Sequence, residues 1–154
     1  SNGGQKFGTT PDHWIMNNFW KEDIEMLKHW TVVSPLEHES WQVYTRALWN
    51  LGRREECAAV ASEGLILHPD SPHLLRRKAH GLRMENKHRE AANIEILLFK
   101  SGTDRLDEVD TLIYLVRSLR VLEEWSELME YLEFGLELSP GNKEFSSIKD
   151  SIKN

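Results

Sequence analysis

The feature that most constrains the fold of this chain is a repeat of about 34 residues. Thirty-four residues separate Pro35 from Pro69, and Pro140 follows 71 residues later, which is two such periods plus three residues. A fixed period in this range predicts stacked units, none of which can bury its apolar face alone. Apolar and small residues recur at matching places in three segments, namely Trp41, Leu48, Gly52, Cys57 and Gly64, then Leu75, Leu82 and Ala91, then Leu112, Leu119 and Gly135.

Within each period the apolar residues recur at intervals of three and four, which predicts amphipathic helices. The first unit is expected to place one helix at 37–50 and an antiparallel one at 54–68, with a turn at Gly52. Two antiparallel helices joined by a short turn make a helical hairpin, so three hairpins are expected. The predicted interior residues are Trp41, Tyr44, Leu48, Cys57, Val60, Ala61, Gly64, Leu65, Leu75, Ala79, Leu82, Ala91, Ala92, Ile94, Leu97, Leu98, Leu112, Leu115, Val116, Leu119, Trp125, Leu128, Leu132, Gly135 and Leu136.

Both ends of the repeat region are predicted to carry a flanking helix. Residues 1–9 hold three glycines without periodicity and are interpreted as a disordered tail or tag remnant. A helix is expected over 11–30, where Thr10 is a cap before a proline, and a capping helix over 142–152. The chain is thus interpreted as a single domain over residues 10–154, with repeats at about 38–71, 72–108 and 109–142.

Composition indicates a soluble globular domain. The 154 residues carry a net charge of −6, which argues against nonspecific binding to nucleic acid and to anionic membranes. No apolar run approaches the ~20 residues of a membrane helix, and residues 1–20 lack the basic start and apolar centre of a signal peptide. We therefore expect a cytoplasmic location and no membrane insertion. The chain begins with Ser1 rather than Met and is interpreted as an excised piece or one with tag residues.

The repeat pattern resembles that of tetratricopeptide repeats, a family of 34-residue helical hairpins. The segment 38–71 matches with Trp41, Leu48, Gly52, Cys57, Gly64 and Pro69, and 109–142 matches with Leu112, Leu115, Leu119, Leu128, Gly135 and Pro140. The middle segment departs from the pattern, since Lys78, Leu98 and Thr103 stand where the family has an apolar residue, a small residue and proline. The resemblance implies an all-α fold, a right-handed superhelical stack of antiparallel hairpins (an α-solenoid), and a role as adaptor or scaffold.

The sequence holds no pattern typical of catalysis or of a metal site. It has no glycine-rich phosphate loop, and its Ser, His and Asp residues fall on separate predicted helices. His73 and His80 would lie two helical turns apart, about 10 Å along the axis, which is too far for one metal ion. The single cysteine, Cys57, is expected to be buried. We therefore expect a protein that is not an enzyme and uses neither cofactor nor metal.

One side of the first helix of each hairpin is rich in arginine. If Trp41 and Leu48 face the interior, the opposite side is expected to line a concave groove. Guanidinium groups bind carboxylates through two parallel hydrogen bonds, so we expect the groove to bind an acidic peptide segment or a chain-terminal carboxylate. The candidate peptide-binding residues are Gln42, Arg46, Trp49, Asn50, His73, Arg76, Arg77, His80, Arg83, Tyr114, Arg117 and Arg120.

Other interpretations of these residues stay open. The arginines can instead pair with Glu63, Glu95 and other acids of adjacent helices, in surface pairs worth only ~0–1 kcal/mol each. Family members that hold chaperone tails use a clamp of lysine and asparagine, and Gln42, Arg46 and Arg77 depart from it. The resemblance therefore does not extend to that particular partner.

The function has alternatives as well. The chain can be a docking or regulatory domain of a larger multidomain enzyme, or a dedicated chaperone for a secreted or assembling partner. Trp14 lies off the apolar stripe of its helix and is a candidate homodimer contact. Nucleic acid is a weaker candidate ligand, because residues 123–154 carry three Lys/Arg against eight Asp/Glu.

Overall fold

The computed structural model describes residues 23–102 and 108–152, which form eight α-helices and no strand. The predicted tail, the start of the first flanking helix and Trp14 lie outside these described residues. The helices are α1 (Ile24–Val33), α2 (His38–Asn50), α3 (Arg54–Leu67), α4 (Pro72–Met84), α5 (His88–Ser101), α6 (Glu108–Val121), α7 (Trp125–Leu138) and α8 (Lys143–Ile152).

The chain divides into two compact units, and the division falls after Gly81, inside α4. Unit 1 comprises the described residues up to Gly81, and unit 2 those from Leu82 onward. The single domain expected over 10–154, and the repeat bounds within it, stay predictions.

In unit 1, α2 packs between α1 and α3. Leu27 of α1, Leu48 of α2 and Cys57 of α3 belong to one buried cluster, which confirms that Cys57 is interior. The turn between α2 and α3 uses Gly52 with φ +78°, a conformation that costs residues with a Cβ atom but not glycine. The first predicted hairpin is therefore confirmed, within one residue at each helix end.

The N-terminal half of α4 packs onto this hairpin through Leu74. The side chain of Leu74 is fully buried against Trp41 and Ala61, whereas Leu75, the predicted interior residue, is only half-buried. The periodic pattern identifies the face that each helix turns to its own hairpin partner. Leu74 lies on a second face, which α4 turns to the preceding hairpin, so the pattern does not predict it.

Two hydrogen bonds tie the start of α2 to the loop between α3 and α4. The His68 Nε2–H donates to the carbonyl oxygen of Pro35 at 2.9 Å, and this oxygen also accepts from Trp41 Nε1 at 2.8 Å. His38 Nε2 lies 2.5 Å from the hydroxyl of Ser71, which accepts the backbone N–H of Leu74 at the start of α4. Both cross-links join residues 33 positions apart, so they follow from the repeat.

In unit 2, α6 packs between α5 and α7, and α8 packs on α7. The core contains Ala92, Leu115, Leu132 and Phe145, all with no exposed surface. The side chain of Asn142 accepts backbone N–H groups of Glu144 and Phe145 at 3.0 and 3.2 Å. This N-cap explains why α8 begins at Lys143.

Two of the predicted interior residues of unit 2 are at the surface. Leu97 is 60% exposed and Trp125 is 46% exposed, so both predictions are wrong. Trp125 is the first residue of α7, where the hairpin turn ends and the packed face of the helix has only begun. On α5, Glu95 is buried in addition to Ala91, Ala92 and Leu98. This buried carboxylate needs a partner, which the next section describes.

Candidate functional site

In unit 1, the candidate site is organised around Trp49, near the end of α2. The guanidinium carbons of Arg54 and Arg77 lie 4.3 and 4.9 Å from the centroid of the indole ring. The ring of His80 lies 4.8 Å from it, tilted by 34°. We call these four residues, which come from α2, α3 and α4, the Trp49 cluster. A cation over an indole face is attracted by the ring's quadrupole, so Trp49 holds two arginines in place.

This arrangement changes the interpretation of Trp49. From the sequence, Trp49 is a candidate peptide-binding residue, but three protein groups lie within 5 Å of the ring centroid. An indole has only two faces, so little of the ring is left for a ligand. Trp49 is also packed against the core of unit 1. The indole therefore holds Arg54 and Arg77 through its faces.

His73, another candidate residue, lies in the interior of unit 1. Its side chain is 8% exposed, and its Nε2 is 3.1 Å from the hydroxyl of Thr45. Because that hydroxyl donates to the carbonyl oxygen of Trp41 at 2.7 Å, it accepts from His73. His73 thus braces α4 against α2, and the structure does not bring it to a ligand-binding surface.

The surroundings of His73 lower its pKa and keep its ring neutral. Burial lowers the pKa of His73 to about 2, and the charges of Arg77, Arg76 and Arg46 lower it further. Arg46, Arg76 and Arg77 are half-buried, as is Gln42, and Asn50 is exposed at the end of α2.

In unit 2, Tyr114 of α6 occupies a similar place. The guanidinium carbons of Arg83 and Arg117 lie 4.7 and 5.2 Å from the centroid of its ring. Arg83 donates to Glu95 at 2.5 Å, and the side chains are 13% and 1% exposed. Arg117 donates to Glu144 of α8. We call these five residues the Tyr114 cluster.

The Tyr114 cluster confirms, for part of the arginine-rich sides of the helices, the alternative interpretation that these arginines pair with acids. The pairing of Arg83 with Glu95 is the expected pairing with an acid of an adjacent helix. Sequence reasoning missed Glu144, although it follows the capping residue Asn142 and lies in the first turn of α8. Acidic residues are common there because they complement the helix dipole, so its position on the chain carried no sign of a pairing with Arg117.

Arg120 lies elsewhere in unit 2. It is exposed and lines an open cleft of about 370 Å³ with Trp125, Ser151 and Ile152. Ile113, on the same helix α6, is half-buried and packs against the core.

Cys57 and the metal-ligating residues show no sign of chemistry. Burial raises the pKa of the Cys57 thiol to about 11, and the thiol donates to the carbonyl oxygen of Thr45 at 3.2 Å. Within 23–102 and 108–152, no cluster of His, Cys, Asp and Glu is suited to a metal ion. The helices of the same described segments include none with the length and apolar character to cross a membrane.

Comparison with known proteins establishes the fold. No protein-family model matches the chain, and no curated protein matches it in sequence. Among solved structures, the MamA RS-1 ArsTM double mutant has a TM-score of 0.74 and 17% identity, over 88% of this chain and 74% of that one. PilF of Pseudomonas aeruginosa has a TM-score of 0.75 and 15% identity, over 92% of this chain and 63% of PilF. The chain thus spans less than two thirds of PilF.

Both of these structures are tetratricopeptide-repeat proteins. The resemblance of the sequence to that family is therefore confirmed in the fold, which is an all-α solenoid of the tetratricopeptide type.

Proposed function

We propose that this chain is a protein-interaction module that binds carboxylates of a partner protein through the arginines of unit 1. The observation that supports this most directly is that the guanidiniums of Arg54 and Arg77 lie 4.3 and 4.9 Å from the centroid of the Trp49 ring, while the half-buried Arg46 and Arg76 lie on the same helices as Trp49 and Arg77. These four cations come from neighbouring helices of one unit, in a chain of net charge −6. The carboxylates can belong to acidic side chains or to the end of a chain, as the same chemistry recognises both.

The ion pairs within unit 2 support the choice of unit 1 as the binding site. In unit 2, Arg83 and Arg117 each donate to a carboxylate of the same unit. A partner's carboxylate would have to displace Glu95, which is 1% exposed, and breaking such a buried pair is costly. The contribution of Arg83, Tyr114, Arg117 and Arg120 to binding stays a prediction.

Charge reversal on α2 and α4 tests the proposal. The variant carries Arg46→Glu and Arg76→Glu, and the probe is a fluorescently labelled peptide of alternating glutamate and serine. We expect the affinity to fall about tenfold or more, because two attractive contacts become repulsive. The binding of the wild-type chain should also weaken as salt is added, since exposed charge contacts are screened.

A matched control carries Lys143→Glu and Lys149→Glu, two exposed residues of α8. It changes the net charge by the same amount in unit 2 and should bind the probe nearly as well as wild type. Circular dichroism on both variants checks that the helices are intact. Equal affinity of the Arg46/Arg76 variant and wild type would overturn the proposal.

A further inference from the structure

We propose that Trp49 holds Arg54 and Arg77 as a pair that binds two carboxylates of the partner, spaced two residues apart on an extended segment. This inference rests on the proposed function and specifies its ligand. It assigns a role to Arg54, which lies outside the stripe that the sequence suggests, and makes Trp49 a positioning residue.

The guanidiniums of Arg54 and Arg77 lie close to each other, beside one ring. Their carbons lie 4.3 and 4.9 Å from one ring centroid, so they are at most about 9 Å apart. They come from different helices, α3 and α4, and the ring of α2 is the group that both contact. The pair is thus a local feature of unit 1, with a spacing set by an indole that is itself packed on the core.

A second aromatic ring of the protein also holds two guanidiniums, and there each of them binds a carboxylate. In the Tyr114 cluster, a ring holds Arg83 and Arg117 at 4.7 and 5.2 Å. Each guanidinium binds a separate carboxylate, Glu95 from α5 and Glu144 from α8. An arginine pair held by one aromatic ring can therefore bind two carboxylates at once while it stays on the ring.

Arg54 differs from its neighbour Arg53 in the groups that its guanidinium contacts. It is exposed at the first position of α3 and forms no ion pair with any described carboxylate. Its neighbour Arg53 is exposed as well but donates twice to Glu56, at 2.8 and 2.7 Å. The stack on Trp49 orders the guanidinium of Arg54 before a ligand arrives, which reduces the conformational entropy that binding would cost.

The spacing of the ligand follows from chain geometry. In an extended segment, side chains at i and i+2 leave on the same side, about 6.8 Å apart, while those at i and i+1 leave on opposite sides. The i, i+2 spacing therefore presents both carboxylates on one side, at a separation compatible with guanidiniums that are at most about 9 Å apart. A helical ligand with acids at i and i+4 would also bring them close, but like charges at that spacing destabilise a helix.

The test compares three peptides of identical composition with two glutamates each, placed at i and i+1, at i and i+2, or at i and i+4. The full chain titrates each labelled peptide at low salt. We expect the i, i+2 peptide to bind about tenfold tighter than the i, i+1 peptide, the effect of one additional charge-assisted hydrogen-bonded contact in a partly exposed site.

Two neighbouring arginines provide the matched variants. Arg54→Gln should bring the affinities of the i, i+1 and i, i+2 peptides within about twofold of each other, since one member of the pair is lost. Arg53→Gln removes the same charge one residue away and should keep the tenfold preference. Trp49→Leu should also abolish the preference, and Trp49→Phe should keep part of it because a phenyl ring still attracts cations.

The outcomes separate this inference from the function on which it rests. Equal binding of all three peptides to wild type would overturn the spacing and leave the proposed function standing. Tightest binding of the i, i+4 peptide would overturn the extended ligand. A preference that survives Arg54→Gln would remove Arg54 from the site. Failure of every acidic peptide to bind would overturn the proposed function itself.

Discussion

Each of the two units contains an aromatic ring with two guanidiniums beside it, and the groups around the two rings differ. In each, an aromatic ring on the first helix of a hairpin holds two guanidiniums, within about 5 Å of the ring centroid. In unit 2 the guanidiniums also bind Glu95 and Glu144, so the cluster joins α5 and α8 to the rest of the unit. In unit 1 the ring gathers Arg54, Arg77 and His80. In unit 2 the arginines on the ring therefore serve folding through the acids they bind, and we propose that the arginines on the ring of unit 1 serve binding.

The acidic residues of the chain are distributed unevenly between the two units. Residues 82–154 carry ten Lys/Arg against fifteen Asp/Glu, a net charge of −5, whereas residues 1–81 carry nine against ten, a net charge of −1. Acidic positions are therefore denser in the half where Arg83 and Arg117 lie. Substitutions in both units can test how far the arginines divide into a folding role in unit 2 and the proposed binding role in unit 1.

The largest effect is expected from Arg83→Met in unit 2. Glu95, 1% exposed, would lose its guanidinium and remain as a buried carboxylate. Breaking a buried pair in this way costs about 3–5 kcal/mol. The measurement is the free energy of unfolding in urea, followed by circular dichroism.

A second substitution separates the charge from the packing. Adding Glu95→Leu to Arg83→Met removes the unpaired carboxylate and should recover most of the loss, because an apolar pair of similar volume replaces the ion pair. If Arg83→Met alone changed the stability by less than 1 kcal/mol, Arg83 would belong with the binding arginines, and the contrast between the units would fail.

The next effect is acid sensitivity in unit 1. The pKa of His73 is lowered to about 2, by burial first and then by three arginines, while an unfolded histidine titrates near pH 6.5. The folded state therefore binds fewer protons, and stability is lost as the pH falls below about 6.5. Between pH 7 and pH 5 this single group accounts for about 2 kcal/mol. Burial and the nearby His68 also lower the pKa of His38, so its contribution has the same sign.

Hydrogen exchange at the two pH values locates this loss. Six of the seven histidines precede Leu82, so amides of α2 and α4 should lose protection on acidification more than those of α6 and α7. In His73→Gln the amide can still donate to Thr45, and most of the pH dependence should disappear. The same pH dependence with and without His73 would contradict the assignment.

A third effect compares one repeat position in both units. Gly64 and Gly135 lie 71 residues apart, the same interval as Pro69 and Pro140. A Cβ atom on Gly135 would lie 2.6 Å from the ring of Phe145, and one on Gly64 would lie 2.9 Å from Leu74 and 3.0 Å from Trp41. Gly135→Ala should cost about 1–2 kcal/mol, as overpacking outweighs the gain in helix propensity.

Gly64→Ala should cost less, because its added Cβ would lie 2.9–3.0 Å from Leu74 and Trp41, whereas the added Cβ of Gly135→Ala would lie 2.6–2.8 Å from Phe145. Thermal unfolding of both variants tests the order. Phe145→Leu should compensate Gly135→Ala in the double variant, and it should do nothing for Gly64→Ala. The reverse order of stability would mean that the two units do not pack equivalently at this position.

Much of the fold could be predicted because the same pattern of apolar and small residues occurs in three segments of the sequence. The period identified the turn at Gly52 and the interior position of Cys57 in the first hairpin, and both are confirmed; a helix was also expected over 142–152, where α8 lies. It failed at Leu74 and Leu97, since a 3.6-residue pattern does not say which of two adjacent faces meets the neighbouring hairpin.

The candidate site was less predictable. The period put Trp49 and Tyr114 on one stripe with the arginines, and the structure does group them. It could not find Arg54, whose guanidinium reaches Trp49 from another helix. Nor could it find that Glu95 is buried, since contacts between long side chains depend on rotamers and on packing between helices, which spacing does not encode.

The smallest effect completes the comparison within the Tyr114 cluster. Arg117 and Glu144 form their pair at the surface, with side chains 50% and 32% exposed. Arg117→Met should therefore change the free energy of unfolding by no more than about 1 kcal/mol, because water solvates both charges when the pair is broken. Unfolding at low and at 0.5 M salt distinguishes the two pairs of the cluster. The small contribution of Arg117 should vanish with salt, while that of Arg83 should persist, since a buried pair is screened much less. If both arginines proved equally sensitive to salt, burial of Glu95 would not be what separates a folding arginine from a surface one.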